Sequence, residues 1–153
     1  RNNNMATTNY NGKSIQELAA YTDSIRITTA DLDASASTQT ITKTVKAGTQ
    51  VRGVAFKLHT AFSGHGATLK LDVGDGVDAD GFIDNNELHA SGTTLNYGPD
   101  IDGVMVGKAY SADDTIDMLF TLNTGNVSQL TAGEVEIFFN IINLDNVSAD
   151  MAS

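Results

Sequence analysis

The sequence predicts an all-β protein, an antiparallel β-sandwich of Greek-key or jelly-roll type. Apolar residues recur at every second position in about seven short segments, which is the periodicity of half-buried strands. Gly and Asn turns separate these segments at the short spacing typical of sandwiches and barrels. Helical periodicity between the segments is missing, which disfavours βαβ units.

The N-terminal region differs from the rest of the chain. Residues 1–12 are rich in Asn and have no periodicity, which indicates a flexible arm. Ser14 and Glu17 then have the spacing of a capping box, which predicts the start of a short helix. This helix would carry three apolar residues on one face: Ile15, Leu18 and Tyr21.

The predicted strands follow from residue 23 onward. The clearest one covers residues 50–62, where Val54, Phe56 and Leu58 share a face. A long acidic loop is predicted to follow Val73 and to run to about Pro99. The other predicted strands cover residues 24–28, 38–46, 68–73, 104–110, 115–122 and 134–144. The predicted domains are an arm with a short helix (1–22), a β-sandwich (23–146) and a C-terminal tail (147–153). The predicted core consists of Val54, Phe56, Leu58, Leu69, Leu71, Ile116, Met118, Phe120, Val135, Ile137 and Phe139.

The last predicted strand is apolar on both faces. Val135, Ile137 and Phe139 would line the core, but the opposite face is apolar as well. In a two-layer domain that second face should meet solvent, so another element is expected to cover it. The N-terminal helix and a partner subunit are the two alternatives. The predicted interface residues are Ile15, Leu18, Tyr21, Phe138, Ile142 and Leu144.

The charge balance restricts the partners. Nineteen acidic residues oppose nine basic ones, which gives a formal net charge of −10. The basic residues are scattered, whereas phosphate binding needs clustered Lys and Arg, so nucleic acid and anionic membranes are not expected partners. No apolar run approaches the roughly 20 residues of a membrane helix. A basic protein surface or a cation is the more plausible partner, and the alternative is that the acidity only maintains solubility.

The sharpest local motif is the acidic stretch that begins at Gly76. With Gly81 at position six of an EF-hand loop, four acidic side chains fall on ligand positions, where alternate carboxylates converge on one cation. Position one is Gly76 instead of Asp, Asp75 is one residue out of register, and a strand precedes the loop. A solvated loop in which Asp and Gly serve turn geometry is the alternative. The possible calcium ligands are Asp78, Asp80, Asp84 and Glu87.

No arrangement typical of an enzyme is apparent. The serines lack nucleophile–base spacing, and GDGVDADG is followed by neither the helix nor the Lys of a phosphate-binding loop. His59, His65 and His89 have no further ligand placed by spacing, and the chain contains no Cys, which excludes disulfides and thiolate zinc sites. The sequence therefore predicts a protein that is not an enzyme and has no cofactor beyond a possible Ca²⁺.

Several motifs occur together from Gly53 onward. In GVAFKLHTAFSGHGATLKLDVGDGVDADGFI, an aromatic strand ends in a TAF-plus-glycine turn, and a T-L strand leads into a GDG-D-x-DGF loop. A K-x-Y segment, an acidic turn and T-I-D follow at residues 108–117, and T-A-G-E-V begins the last strand at 131–135. As a set, these motifs resemble small β-sandwich virion structural proteins of tailed bacteriophages.

The resemblance implies a structural component of a phage head and no catalysis. It favours a capsid decoration (cement) protein on the particle surface that binds the major capsid protein or other virion proteins. A head-fibre protein or a neck- or tail-associated protein is the alternative within the virion. A secreted calcium-dependent binding module is the alternative outside it. The apolar last strand further favours a homo-oligomer, with a trimer expected, and the arm is expected to contact another chain.

Overall fold

The computed structural model describes residues 21–92, 97–99, 105 and 107–146. The arm, most of the predicted helix and the predicted C-terminal tail lie outside these residues. Eight strands are described: β1 (Asp23–Thr28), β2 (Thr38–Val45), β3 (Thr49–Gly64), β4 (Leu69–Gly74), β5 (Ile83–Glu87), β6 (Tyr97–Pro99), β7 (Asp114–Leu122) and β8 (Leu130–Asn143). They form two four-stranded sheets, with the orders β1-β8-β3-β6 and β2-β7-β4-β5. A 3-10 helix, Val127–Gln129, precedes β8.

The strand pairing is antiparallel and nested. The first strand pairs with the last, the second with the seventh, the third with the sixth and the fourth with the fifth. A jelly roll has this pattern, because one long antiparallel hairpin rolls up so that successive pairs fall in alternate sheets. The pairs β3–β8 and β4–β7 complete the two sheets. The predicted all-β sandwich is therefore confirmed, and its connectivity is that of a jelly roll.

The core lies between the two sheets. Alternate residues of each central strand point inward, and these positions are apolar. The ring of Phe62 on β3 packs against that of Phe120 on β7, with centroids 6.4 Å apart, and this contact joins the two layers. All the predicted core residues are buried: Val54, Phe56, Leu58, Leu69, Leu71, Ile116, Met118, Phe120, Val135, Ile137 and Phe139.

The region predicted as one long acidic loop contains two strands. β5 pairs with β4, where Val73 lies opposite Ile83. β6 is three residues long and pairs with β3, where Phe56 lies opposite Gly98. Both are edge strands, and an edge strand can be held by its ladder and very few buried side chains. In β5 only Ile83 is fully buried, so the sequence of β5 lacks the apolar alternation that would reveal a strand.

The strand predicted at residues 104–110 is wrong for the part that the structure describes. Met105 and Gly107 lie in turns, and Gly107 has a φ of +88°, in the left-handed region that favours glycine. Ala109 forms an isolated bridge with Gln50 at the start of β3. The segment thus runs beside β3, but the turn at Gly107 prevents a regular ladder.

Candidate interaction surface and acidic loop

The outer face of the β1-β8-β3-β6 sheet has an apolar part around β8. Phe138 points outward between Ser24 of β1 and Ala55 of β3, so its ring stands between two small residues. Farther along β3, a Cβ placed on Gly53 would meet, among the described residues, only the Cβ of Asn140 within 4 Å, at 3.9 Å. The face therefore has a shallow depression beside the Phe138 ring. We call the following residues the apolar patch: Tyr21, Gly53, Ala55, Phe138 and Ile142.

The chain enters the domain at this patch. The ring of Tyr21 packs on that of Phe138, with centroids 5.8 Å apart and planes tilted by 58°. Thr22 then joins the edge of β8: its backbone N–H donates to the Phe139 carbonyl at 2.8 Å, and its Oγ1 accepts from the Ile141 N–H at 2.9 Å. The first described residues are thus fixed against the outer side of β8.

The predicted interface residues have three different outcomes. Tyr21 and Phe138 are brought into contact, and Ile142 lies on the same outward row of β8. Leu144 was predicted in the last strand, but β8 ends at Asn143 and Leu144 lies in helical residues 144–146, still 39% exposed. The Asn143 side chain explains this end, because its Oδ1 accepts from the N–H groups of residues 145 and 146 and turns the chain. Ile15 and Leu18 lie outside the described residues, and the interface itself remains a prediction.

The other part of this outer face is a charged cluster on β1, β3 and β8. Arg26 bridges Glu134 at 2.9 Å and Glu136 at 3.0 Å. Glu136 also accepts from Ser24 and contacts the His59 ring nitrogen, both at 2.9 Å. Burial opposes ionisation of Glu136, but the hydrogen bonds from His59, Arg26 and Ser24 outweigh it and lower its pKa to about 2. The cluster therefore links three strands through ion pairs and hydrogen bonds.

The loop between β4 and β5 is organised by Asp75. Its Oδ1 accepts from the backbone N–H groups of Val77 at 2.9 Å and Asp78 at 3.1 Å. Its Oδ2 accepts from Lys108 Nζ and from the Tyr110 hydroxyl, the latter at 3.1 Å. The Asp75 side chain is fully buried, and burial alone would raise its pKa, but the four donors lower the pKa below its ordinary value. Asp75 is thus a structural carboxylate, a role that its position one residue out of the EF-hand register does not indicate.

Three of the predicted calcium ligands concentrate negative charge beside β4. A hydrogen bond between the side chains of Asp78 and Asp80 raises the pKa of Asp78. Burial, and then repulsion from Asp84 and Asp80, raises the pKa of Asp72 on β4. Asp84 belongs to β5 and not to a loop, as does the fourth predicted ligand.

That fourth ligand, Glu87, is directed elsewhere. Its Oε1 accepts from the backbone N–H groups of Leu69 and His89, each at 2.8 Å, and its Oε2 lies 3.8 Å from Lys70 Nζ. Glu87 therefore connects the end of β5 to the start of β4. Within the described part of the chain, no three His, Cys, Asp or Glu side chains are grouped so that they could hold a metal ion. Calcium binding remains a prediction.

Comparison with known proteins supports the fold. No protein-family model matches the chain, and no curated protein matches its sequence. Across the described ranges, no helix is both long and apolar enough to cross a membrane. In three dimensions the chain is similar to a chain of the cyanophage Pam1 capsid asymmetric unit, with a TM-score of 0.52 and 15% sequence identity over 76% of this chain and 81% of that chain. The protein therefore shares its fold with a component of that capsid structure.

Proposed function

We propose that this chain is a structural protein of a phage particle, and that it decorates the outer surface of the head as a cement protein. The observation that carries the proposal is the jelly-roll pairing combined with the fold likeness to a chain of a cyanophage capsid asymmetric unit. Jelly rolls also occur in lectins and cupins. The virion-like motifs from Gly53 onward therefore supply the second support.

The proposal assigns no catalytic role. The two most prominent ionisable clusters among the described residues are centred on Glu136 and Asp75, and each is engaged in internal hydrogen bonds. The Glu136 cluster connects three strands of one sheet, and the Asp75 cluster fixes a loop. These hydrogen bonds stabilise the scaffold, and the proposal gives the two clusters no other role.

The proposed partner is the major capsid protein or another virion protein with a basic surface. The formal net charge of −10 favours a basic docking surface through long-range attraction. Residues 1–12 are the proposed attachment device, because an Asn-rich arm without apolar periodicity gains more from a partner than from its own domain. A homo-oligomer, preferably a trimer at a symmetry site of the shell, would strengthen weak contacts through avidity.

The test uses phage particles stripped of the protein. The full chain should co-sediment with them saturably, in a fixed ratio to the major capsid protein. A variant without residues 1–12 should bind at least about ten-fold more weakly while it keeps its melting temperature, because an arm of this kind adds little to domain stability. A variant without residues 147–153 controls for the shortening of the chain and should bind the particles like the full chain.

Two results would contradict the proposal. Absence of the protein from purified particles would exclude a virion role. A copy number far below that of the capsid protein, with density at the neck or along fibres in a cryo-EM map, would replace decoration by the alternative positions. Light scattering of the isolated protein tests the trimer separately.

A further inference from the structure

We propose that the apolar patch is the binding seat of the chain's own residues 13–20, which lie across it as a short helix. The helix would fix the point from which residues 1–12 leave the domain. This inference concerns the isolated protein and does not depend on the virion role.

The first argument is the place where the described chain begins. Tyr21 already packs on Phe138, and Thr22 is hydrogen-bonded to the edge of β8. The preceding residues are therefore tethered at the patch itself. A tether of this length keeps a segment at an effective concentration of roughly millimolar or higher. The same segment of a second copy would need a comparable protein concentration to compete.

The second argument is the match in size and shape. From Phe138 to Ile142 the strand advances by about 13 Å, and an eight-residue helix is about 12 Å long. Beside this row, Gly53 and Ala55 are too small to fill the space above β3. Small residues on a sheet let the backbone of a helix approach closely and bring its apolar stripe into contact with the larger side chains.

The third argument is the pattern of residues 13–20. Ile15 and Leu18 fall on the same helical face as Tyr21, whereas Gln16 falls on the opposite face. Tyr21 is 40% exposed, so apolar surface is left at the end of the patch where the segment enters. Burying this surface against a matching stripe gives the helix the tertiary contact without which so short a helix is unstable in water.

The absence of Cys from the sequence permits a direct test by cross-linking. The full chain with Leu18→Cys and Ala55→Cys is treated with a short bis-maleimide at micromolar protein concentration. One control pairs Gln16→Cys, on the opposite helical face, with Ala55→Cys. The other pairs Leu18→Cys with Thr42→Cys, an exposed position on the other sheet. The expected result is an intrachain link that forms at least about ten-fold faster for the first pair than for either control, because only that pair is held together.

Every other outcome overturns the proposal. Covalent dimers from the first pair would assign the patch to a second copy of the chain. Equal rates for the three pairs would show that residues 13–20 do not occupy the patch and would leave it to another protein. If Ala55→Cys prevents folding, as judged by circular dichroism, Asn140→Cys on the same outward row of β8 takes its place, both in the first pair and in the Gln16→Cys control.

Discussion

The ammonium group of Lys108 donates to the fully buried carboxylate of Asp75, a residue 33 positions away along the chain. Asp75 directly follows β4 in one sheet, whereas Lys108 lies beside the start of β3 in the other, where its carbonyl accepts from the Val51 N–H. The pair therefore connects the two layers at the end of the sandwich where the acidic loop emerges. The Tyr110 hydroxyl reinforces it from the same side.

Lys108→Met should destabilise the domain by about 2–3 kcal/mol, because it leaves a buried carboxylate without its positive partner. Lys46→Met is the matched control, since the Lys46–Asp113 pair is 70% and 58% exposed and such a pair contributes within about 1 kcal/mol. Urea denaturation followed by circular dichroism measures both variants. Equal losses would show that the burial of Asp75 is not important for stability.

The stability should depend on pH through Glu136. Its folded-state pKa is about 2 against an ordinary value of 4.5, so the carboxylate form is favoured by folding. This contribution is complete above pH 4.5 and is lost as the pH falls from there towards 2. Glu136→Gln should lower stability at pH 7 by roughly 1–2 kcal/mol and flatten this part of the profile.

Thermal unfolding between pH 2 and pH 7 measures this effect. Glu134→Gln is the comparison, because it removes one contact with Arg26, whereas Glu136 makes contacts with three side chains. An acid slope that is unchanged in Glu136→Gln would contradict the assignment.

Replacement of glycine by Ala should destabilise the domain at Gly133 and leave its stability almost unchanged at Gly76. Gly133 on β8 has a φ of +146°, and a Cβ there would lie 2.1 Å from the Phe62 ring, so Gly133→Ala should cost about 1–3 kcal/mol or more. Gly76 in the acidic loop has no described atom within 4 Å of such a Cβ, so Gly76→Ala should stay within about 0.5 kcal/mol. Melting temperatures give the comparison. A tolerated Gly133→Ala would mean that the Phe62 ring can move aside.

The central strands were predictable from the sequence because their environment repeats with period two. Phe56, Leu71 and Ile116 each lie between polar or small neighbours and are all buried, as the alternation indicates. β5 could not be predicted in this way. Its residues are mostly polar, and it exists because the edge of β4 offers a ladder that local sequence does not reveal.

The same limit applies to the candidate sites. The apolar outer residue Phe138 stood out, since it interrupts an expected polar face. The Asp75–Lys108–Tyr110 cluster did not, because its members meet only after the two sheets pack. The calcium motif placed Glu87 with three aspartates by counting positions along a loop. The register of β5 instead turns Glu87 towards the backbone of Leu69 and His89.

Phe120→Ala should be among the most damaging substitutions, with a loss of about 3–5 kcal/mol. Phe120 is fully buried, and its ring packs on that of Phe62 from the opposite sheet. Truncation therefore leaves a cavity between the two sheets. This cavity cannot close, because β7 is hydrogen-bonded to a neighbouring strand on each side. Val77→Ala is the control, because Val77 is 87% exposed and should change stability by less than about 0.5 kcal/mol. Chemical denaturation measures both variants. A loss of stability below about 1 kcal/mol for Phe120→Ala would mean that the two sheets do not share one packed core. In such a core, the void left by a deleted ring costs about 3–5 kcal/mol.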